Sequence, residues 1–204
     1  LPGTNIDGSP DARDVAISPD GKEVVFAAAE KTEPNGERLV RLYRVPMSGG
    51  EPQRLTQAAG IEKSPVYLPD GRAIAYLWNP NATTVGGYYQ VMSHERESRR
   101  GTGLTATLDR GASALERSAD GRTLLFLAER EIGQPIFTVP AAGGAAREIT
   151  DGFTAEYSVA SASAAIALTR VSLTAPAEVF VISRPGSAPR QLTHHNDALL
   201  AELD

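Results

Sequence analysis

A five-residue turn recurs along this chain at a constant interval. Ser18-Pro19-Asp20-Gly21-Lys22 returns as Leu68-Pro69-Asp70-Gly71-Arg72 and again as Ser118-Ala119-Asp120-Gly121-Arg122, which sets the Asp-Gly pairs 50 residues apart. Each turn is followed by a short apolar run: Val24-Val25-Phe26-Ala27, Ile74-Ala75-Tyr76-Leu77 and Leu124-Leu125-Phe126-Leu127. A second marker closes each unit, at Leu55-Thr56, Leu104-Thr105, Ile149-Thr150 and Leu192-Thr193. Ahead of it stands a strand-like triplet: Tyr43-Arg44-Val45, Gln90-Val91-Met92, Phe137-Thr138-Val139 or Phe180-Val181-Ile182. In two units a glycine pair, Gly49-Gly50 or Gly143-Gly144, separates triplet and marker. The fourth unit is worn: aligning Ile166-Ala167-Leu168 with Val24-Val25-Phe26 puts Ala162-Ser163 where Asp-Gly stands elsewhere.

Asp-Gly between apolar runs is a hairpin signal, because Gly accepts positive φ and Asp tolerates the left-handed region. The Gly-Gly pair does the same between the last two strands. Each unit therefore reads as four antiparallel strands, over 15–18, 23–29, 38–46 and 52–55 in the first. The second strand is apolar on both faces, as a strand covered from both sides should be. Four-stranded units of this length predict an all-β fold of about four β-propeller blades. The expected blades are 12–56, 63–105, 112–150 and 154–193, making 1–204 a single propeller segment. A β-sandwich with regular turns is the weaker alternative, because nothing in it requires periodic markers. The best helical candidate is 196–204, where Leu199, Leu200 and Leu203 line one face.

The slack between markers lies between the second and third strands. Polar loops are expected over 30–37 and 79–86, and short ones over 129–133 and 171–175. In an up-and-down blade these connections share one face of the disc, where binding or domain contact commonly evolves.

Composition narrows the function. The 204 residues carry a formal charge of −5, with 25 carboxylates against 20 Lys and Arg, so no basic field is available for nucleic acid or an anionic membrane. Zero Cys removes disulfides, thiol catalysis and Cys-bound zinc, and leaves both cytoplasm and periplasm open. No stretch approaches the ~20 apolar residues of a membrane-spanning helix. The chain opens on Leu1-Pro2-Gly3 without Met or a signal segment, the expected look of a mature product or of a portion of something longer.

No site of chemistry emerges. A serine nucleophile elbow needs Gly-x-Ser-x-Gly, and Gly111-Ala112-Ser113-Ala114-Leu115 lacks the final Gly and opens a blade strand, so Ser113 reads as structural. His94 lies in the charged run His94-Glu95-Arg96-Glu97-Ser98-Arg99-Arg100, which reads as a solvated turn. His194 and His195 are adjacent and would point apart on a strand, poor geometry for one metal. Gly101-Thr102-Gly103 is a short turn with no helix to cradle phosphate. Trp78, Tyr76, Tyr88 and Tyr89 read as inter-blade packing. Asp20, Asp70 and Asp120 have a conformational job. The expectation is no catalytic, cofactor-binding or metal-binding residue within 1–204, and no cofactor.

The repeated "SPDG" turn with its downstream "LT" resembles the propeller repeats of the TolB protein and of prolyl oligopeptidase-family peptidases. The C-terminal stretch separates the two. Ser172-Leu173-Thr174-Ala175-Pro176-Ala177-Glu178-Val179-Phe180-Val181, followed by Arg190-Gln191-Leu192-Thr193-His194-His195-Asn196, resembles the last blade of the acylaminoacyl-peptidase and dipeptidyl-peptidase branch. There "S-x-x-x-P-x-E-[VL]-[YF]-V" and "LT-x-x-N" come just before the chain crosses into an α/β-hydrolase domain. The worn turn fits that final blade, and Leu1-Pro2-Gly3-Thr4 resembles the end of a preceding one. The resemblance implies a serine peptidase whose Ser-Asp-His triad lies on the hydrolase domain, so no triad position transfers to residues 1–204. It implies that the blades are part of a seven- or eight-bladed propeller and that 194–204 is a linker toward a following domain. It also implies a segment that gates peptide substrates, with the hydrolase domain and the remaining blades of the same parent chain as partners. The alternative is a TolB-like propeller that binds proteins and has no enzymatic activity.

Overall fold

The computed structural model describes residues 5–6, 14–29, 39–81 and 87–202. The loop expected over 30–37, most of that over 79–86, and Leu1-Pro2-Gly3-Thr4 lie outside the described residues. The chain is almost wholly β, in two compact units, Leu1–Leu115 and Glu116–Asp204.

The first unit begins with β1 (Asn5–Ile6), which pairs with Ala28 and Ala29. The strands β2 (Val15–Ile17), β3 (Glu23–Ala29), β4 (Val40–Pro46) and β5 (Gln53–Arg54) then form an antiparallel meander. A second meander follows: β6 (Ile61–Tyr67), β7 (Ala73–Asn79), β8 (Gln90–Glu95) and β9 (Arg100–Gly103). A single parallel pair, Val40 with Ile61, joins the two. The third sheet orders β10 (Ala112–Arg117), β11 (Thr123–Ala128), β12 (Ile136–Pro140) and β13 (Arg147–Glu148), and the unit boundary falls within β10. The fourth orders β14 (Phe153–Val159), β15 (Ile166–Val171), β16 (Glu178–Ile182) and β17 (Arg190–Gln191). The sheets of four antiparallel strands are the predicted blades. One helix, α1 (Asp197–Ala201), lies inside the predicted helical stretch, and Leu203 falls outside the described residues.

The Asp-Gly signal works as hairpin chemistry requires. Gly21, Gly71 and Gly121 hold φ of 67°, 67° and 66°, where a β-carbon would strain the backbone. The preceding carboxylate accepts the N–H two residues on, from Lys22 (3.1 Å), Arg72 (2.9 Å) and Arg122 (3.0 Å). Ser18 and Ser118 donate their hydroxyls to Asp20 and Asp120, and hold those carboxyls below the usual range. In the fourth sheet Ala160 N–H still donates to Ala165 O across the corner, at 2.9 Å, as Ser18 does to Glu23. Yet Ser163, standing where Gly stands elsewhere, is not left-handed. The hairpin survives there on a different backbone path.

The closing Thr carries a second repeated bond. Leu42 N–H donates to Thr56 Oγ1 (3.2 Å), Val91 to Thr105 (2.9 Å), Ile136 to Thr150 (2.8 Å) and Val179 to Thr193 (2.9 Å). Beside each, the marker's apolar residue donates its N–H to the carbonyl of that same third-strand residue, at 2.8–2.9 Å. The ladder of each outer strand, two residues long in β5, β13 and β17 and four in β9, is thereby lengthened by a side chain that continues it.

Between the first two sheets Val25, Ala27, Val40 and Leu42 pack with Tyr67, Ile74 and Tyr76. Full burial of each large aliphatic side chain contributes about 1.5–3 kcal/mol. Stacked rings repeat at the same register, Phe26 on Tyr43 (6.0 Å) and Phe126 on Phe137 (5.8 Å). The run Leu124-Leu125-Phe126-Leu127-Ala128 of β11 is buried throughout, whereas in β15 Ala167 is exposed between buried Ile166 and Leu168. The two-sided apolar pattern thus fails in the last sheet, one face of which meets solvent.

Two substitutions test this framework. Thr150→Val keeps shape but leaves the buried Ile136 N–H unpaired, and should cost about 1–3 kcal/mol in urea unfolding, with Thr150→Ser restoring most of it. Gly133 has φ +146°, and a β-carbon there would stand 2.6 Å from Gly152 O. Gly133→Ala should therefore cost at least the ~1–3 kcal/mol of backbone strain, read as a lowered unfolding midpoint.

Candidate functional site

The second unit carries an apolar cavity of about 790 Å³. Its wall is built by Phe153 of β14, residues 171–176 at the end of β15 and in the connection after it, Phe180 of β16 and Leu200 of α1. Ile132, on the corresponding connection of the third sheet, completes it. Leu173 is 99% exposed and Ile132 87% exposed. The short second-to-third-strand connections of the expected loops thus converge on one opening and hold large apolar side chains in water.

Local chemistry explains that posture. Ser172 N–H donates to Ala175 O at 3.0 Å, and Ser172 Oγ contacts Thr174 Oγ1, closing a tight turn with Leu173 at its tip. Gly133 and Gly152 let two backbones approach: Gln134 N–H donates to Gly152 O (3.0 Å), and Thr154 N–H to Gln134 O (3.1 Å). Arg170 bonds Asp151 (2.7 Å) and lies over the Phe180 ring, 5.4 Å from its centroid. The guanidinium thereby lies over the ring while its charge is paired.

Glu178 sits at the base of this cavity and organises the end of the chain. Its Oε1 accepts Asn196 N–H (2.9 Å) and Asn196 Nδ2 (2.8 Å), and its Oε2 accepts the Thr193 hydroxyl. The Thr193 hydroxyl, then the Asn196 amides, hold the carboxyl below its usual range. The Glu, Thr and Asn of the C-terminal motif are thus one hydrogen-bonded latch that seats α1. Sequence spacing alone showed the three letters without the bond between them.

The other sequence candidates disperse. Ser113 lies in β10, ahead of a left-handed Ala114 (φ 50°), and among the described residues the one helix is α1, so no strand-to-helix elbow presents its hydroxyl. His194 Nδ1 is 3.0 Å from Asp197 Oδ2, and among the described residues no three His, Asp or Glu gather in metal-binding geometry. The four aromatics do not form one cluster. Tyr76 is in the core, Trp78 donates Nε1–H to Ala59 O (2.7 Å), Tyr89 lies under Lys63, and Tyr88 is 66% exposed. Gly101 and Thr102 form ladder positions of β9 opposite His94 and Ser93.

The charged run around His94 departs from the solvated turn expected of it. His94 is only 5% exposed, and burial pushes its imidazole down, toward the neutral form. Arg96 donates to Gly71 O (2.8 Å) and to Glu23, which also accepts the Tyr67 hydroxyl (2.8 Å). His94 is a ladder position of β8, flanked by Ile74 of β7 and Gly101 of β9, a placement that a charge count hides. Glu62 was also missed: fully buried on β6, it accepts Leu42 N–H (3.1 Å) and the Thr56 hydroxyl on Oε2. Its Oε1 has no hydrogen-bond partner among the described residues, and burial pushes its carboxyl up.

Glu178→Gln replaces an acceptor-only group by an amide and should loosen α1, read as faster hydrogen exchange at Asn196–Leu200. The same loosening should appear in the unsubstituted chain on acidification. Because Glu178 is depressed in the folded state, its contribution is present above the ordinary carboxylate range and fades as pH falls through the lowered value.

No family model matches the chain. It is 26% identical over 202 residues to dipeptidyl-peptidase 5 of Arthroderma otae, covering 90% of this chain and 27% of that protein. The chain therefore spans about a quarter of the length of the curated relatives it matches. The putative TolB of Agrobacterium tumefaciens superposes with a TM-score of 0.68 at 20% identity, over 88% of this chain and 64% of that one. The acylaminoacyl peptidase of Pyrococcus horikoshii gives 0.67 at 18% identity, over 90% and 28%. Among the described residues no helix is long and apolar enough to cross a membrane. The chain is a set of β-propeller sheets similar in sequence and fold to the propellers of prolyl oligopeptidase-family peptidases, and similar in fold to TolB.

Proposed function

We propose that residues 1–204 are the non-catalytic propeller segment of a serine peptidase, gating the access of peptides to an α/β-hydrolase domain on the same polypeptide. The observation that carries this reading is the Glu178–Thr193–Asn196 latch, built from the motif that ends the propeller in the acylaminoacyl-peptidase and dipeptidyl-peptidase branch. Similarity to dipeptidyl-peptidase 5 across most of the chain supports it. The apolar cavity beside the latch is the surface we assign to the hydrolase domain, since Leu173 and Ile132 stand in water without a cover.

The reading frame should continue into a hydrolase domain with a Gly-x-Ser-x-Gly elbow. In that full-length protein a fluorophosphonate probe should label the elbow serine, and residues 1–204 alone should remain unlabelled. Leu173→Asp with Ile132→Asp should lower kcat/KM for peptide substrates by roughly tenfold or more, through lost domain seating, while the β-sheet circular dichroism is kept. A frame without a hydrolase domain overturns the proposal.

The TolB-like reading is favoured by one observation, a fold match as good as that to the peptidase. It predicts a separate N-terminal α/β domain and a bound protein partner, and a hydrolase domain fused downstream eliminates it.

A further inference from the structure

A second cavity, of about 630 Å³, lies in the first unit at the outer edge between its two meanders. One wall comes from β4, β5 and the residues after them, the other from β7, β8, the turn after β8, and β9. Each wall contributes two guanidinium groups: Arg44 and Arg54 on the first, Arg96 and Arg99 on the second. Glu97 is the one carboxylate in the lining, and His94 adds a buried imidazole whose Nε2 has no hydrogen-bond partner among the described residues. A chain with a net charge of −5 has thus gathered four cations around one cavity.

Three of the four arginines are held by hydrogen bonds. Arg44 donates to Gln53 Oε1 (2.9 Å), and its guanidinium reaches Glu23 at 3.5 Å. Arg54 donates Nε–H to Thr56 O at 2.8 Å. Arg96 is anchored to Gly71 O and Glu23. Arg99 occupies a left-handed turn position, φ +57°, which fixes where its side chain leaves the backbone. Glu23 draws on Arg44 and Arg96 together, so two cations share one carboxylate.

We propose that this groove binds a small molecule bearing two or more oxyanion groups, one set against each wall. Guanidinium forks match carboxylate and phosphoryl oxygens in pairs, and cations on facing walls favour a ligand long enough to meet both over a single monoanion. Such a ligand ties the outer strands of neighbouring sheets together, and by mass action it stabilises the folded chain. This groove owes nothing to the peptidase reading: its residues lie on the first unit and need no further domain.

The test uses the 204-residue chain at low ionic strength, with pyrophosphate and citrate as probes and acetate at matched ionic strength as the single-charge control. Titration calorimetry should give saturable binding of at least one probe, with acetate far weaker, and thermal unfolding should move upward with that probe's concentration. Arg54→Gln and Arg99→Asn should each weaken binding roughly tenfold, the loss of about one charge-assisted hydrogen bond. Arg190→Gln, on β17 of the other unit, should leave it unchanged. Preference for pyrophosphate assigns a phosphoryl ligand, and preference for citrate a carboxylate one. Absence of saturable binding to both overturns the proposal, as does equal binding of acetate or an equal loss in Arg190→Gln. Folding of the variants is read independently from their ligand-free unfolding curves.

Discussion

One hydroxyl-to-amide bond, made four times, decides whether these short outer strands exist. A two-residue strand such as β13 offers too few ladder bonds to hold itself to a sheet. The Thr that follows continues the ladder by one rung with its side chain, and the apolar residue before it adds a backbone bond to the same third-strand residue. The N–H so satisfied is buried at Leu42, Val91 and Ile136, where an unpaired donor would be most destabilising. Threonine suits the place because a β-branched side chain in an extended backbone has a restricted χ1, which keeps its hydroxyl in reach.

Two carboxylates modify this bond in different ways. In the first sheet Glu62 arrives from the next meander and takes both the Thr56 hydroxyl and the Leu42 N–H, so the join between sheets and the closure of one sheet are the same hydrogen-bond set. In the last sheet Glu178 comes from the sheet itself and accepts from both Thr193 and Asn196. The first carboxyl is raised by burial and the second lowered by its donors, though both bind a marker threonine. The number of donors against the depth of burial sets the sign.

The repeat was legible because its causes are local. Asp-Gly demands a left-handed glycine and a short acceptor, and three such corners formed with φ alike to a degree. The fourth, Ala162-Ser163, kept its hairpin because the flanking ladder from Phe153 to Val171 holds the strands regardless of the corner. The chemistry-bearing side chains were less legible. The run around His94 reads as uniformly hydrophilic, yet the sheet buries His94 between β7 and β9 and Glu23 anchors Arg96. Glu62 gives no periodic sign at all, since its partners lie 6 and 20 residues away.

Markers, spacing and turn residues were enough to establish four-stranded β units and their order, since backbone conformation at a glycine corner and the apolar run beside it depend on neighbours in the chain. The Glu178 latch, the arginine groove and the cavity under Leu173 arise only when segments far apart in the chain face each other. Charge and hydrogen-bond energies depend on distance and burial in space, and a linear reading contains neither.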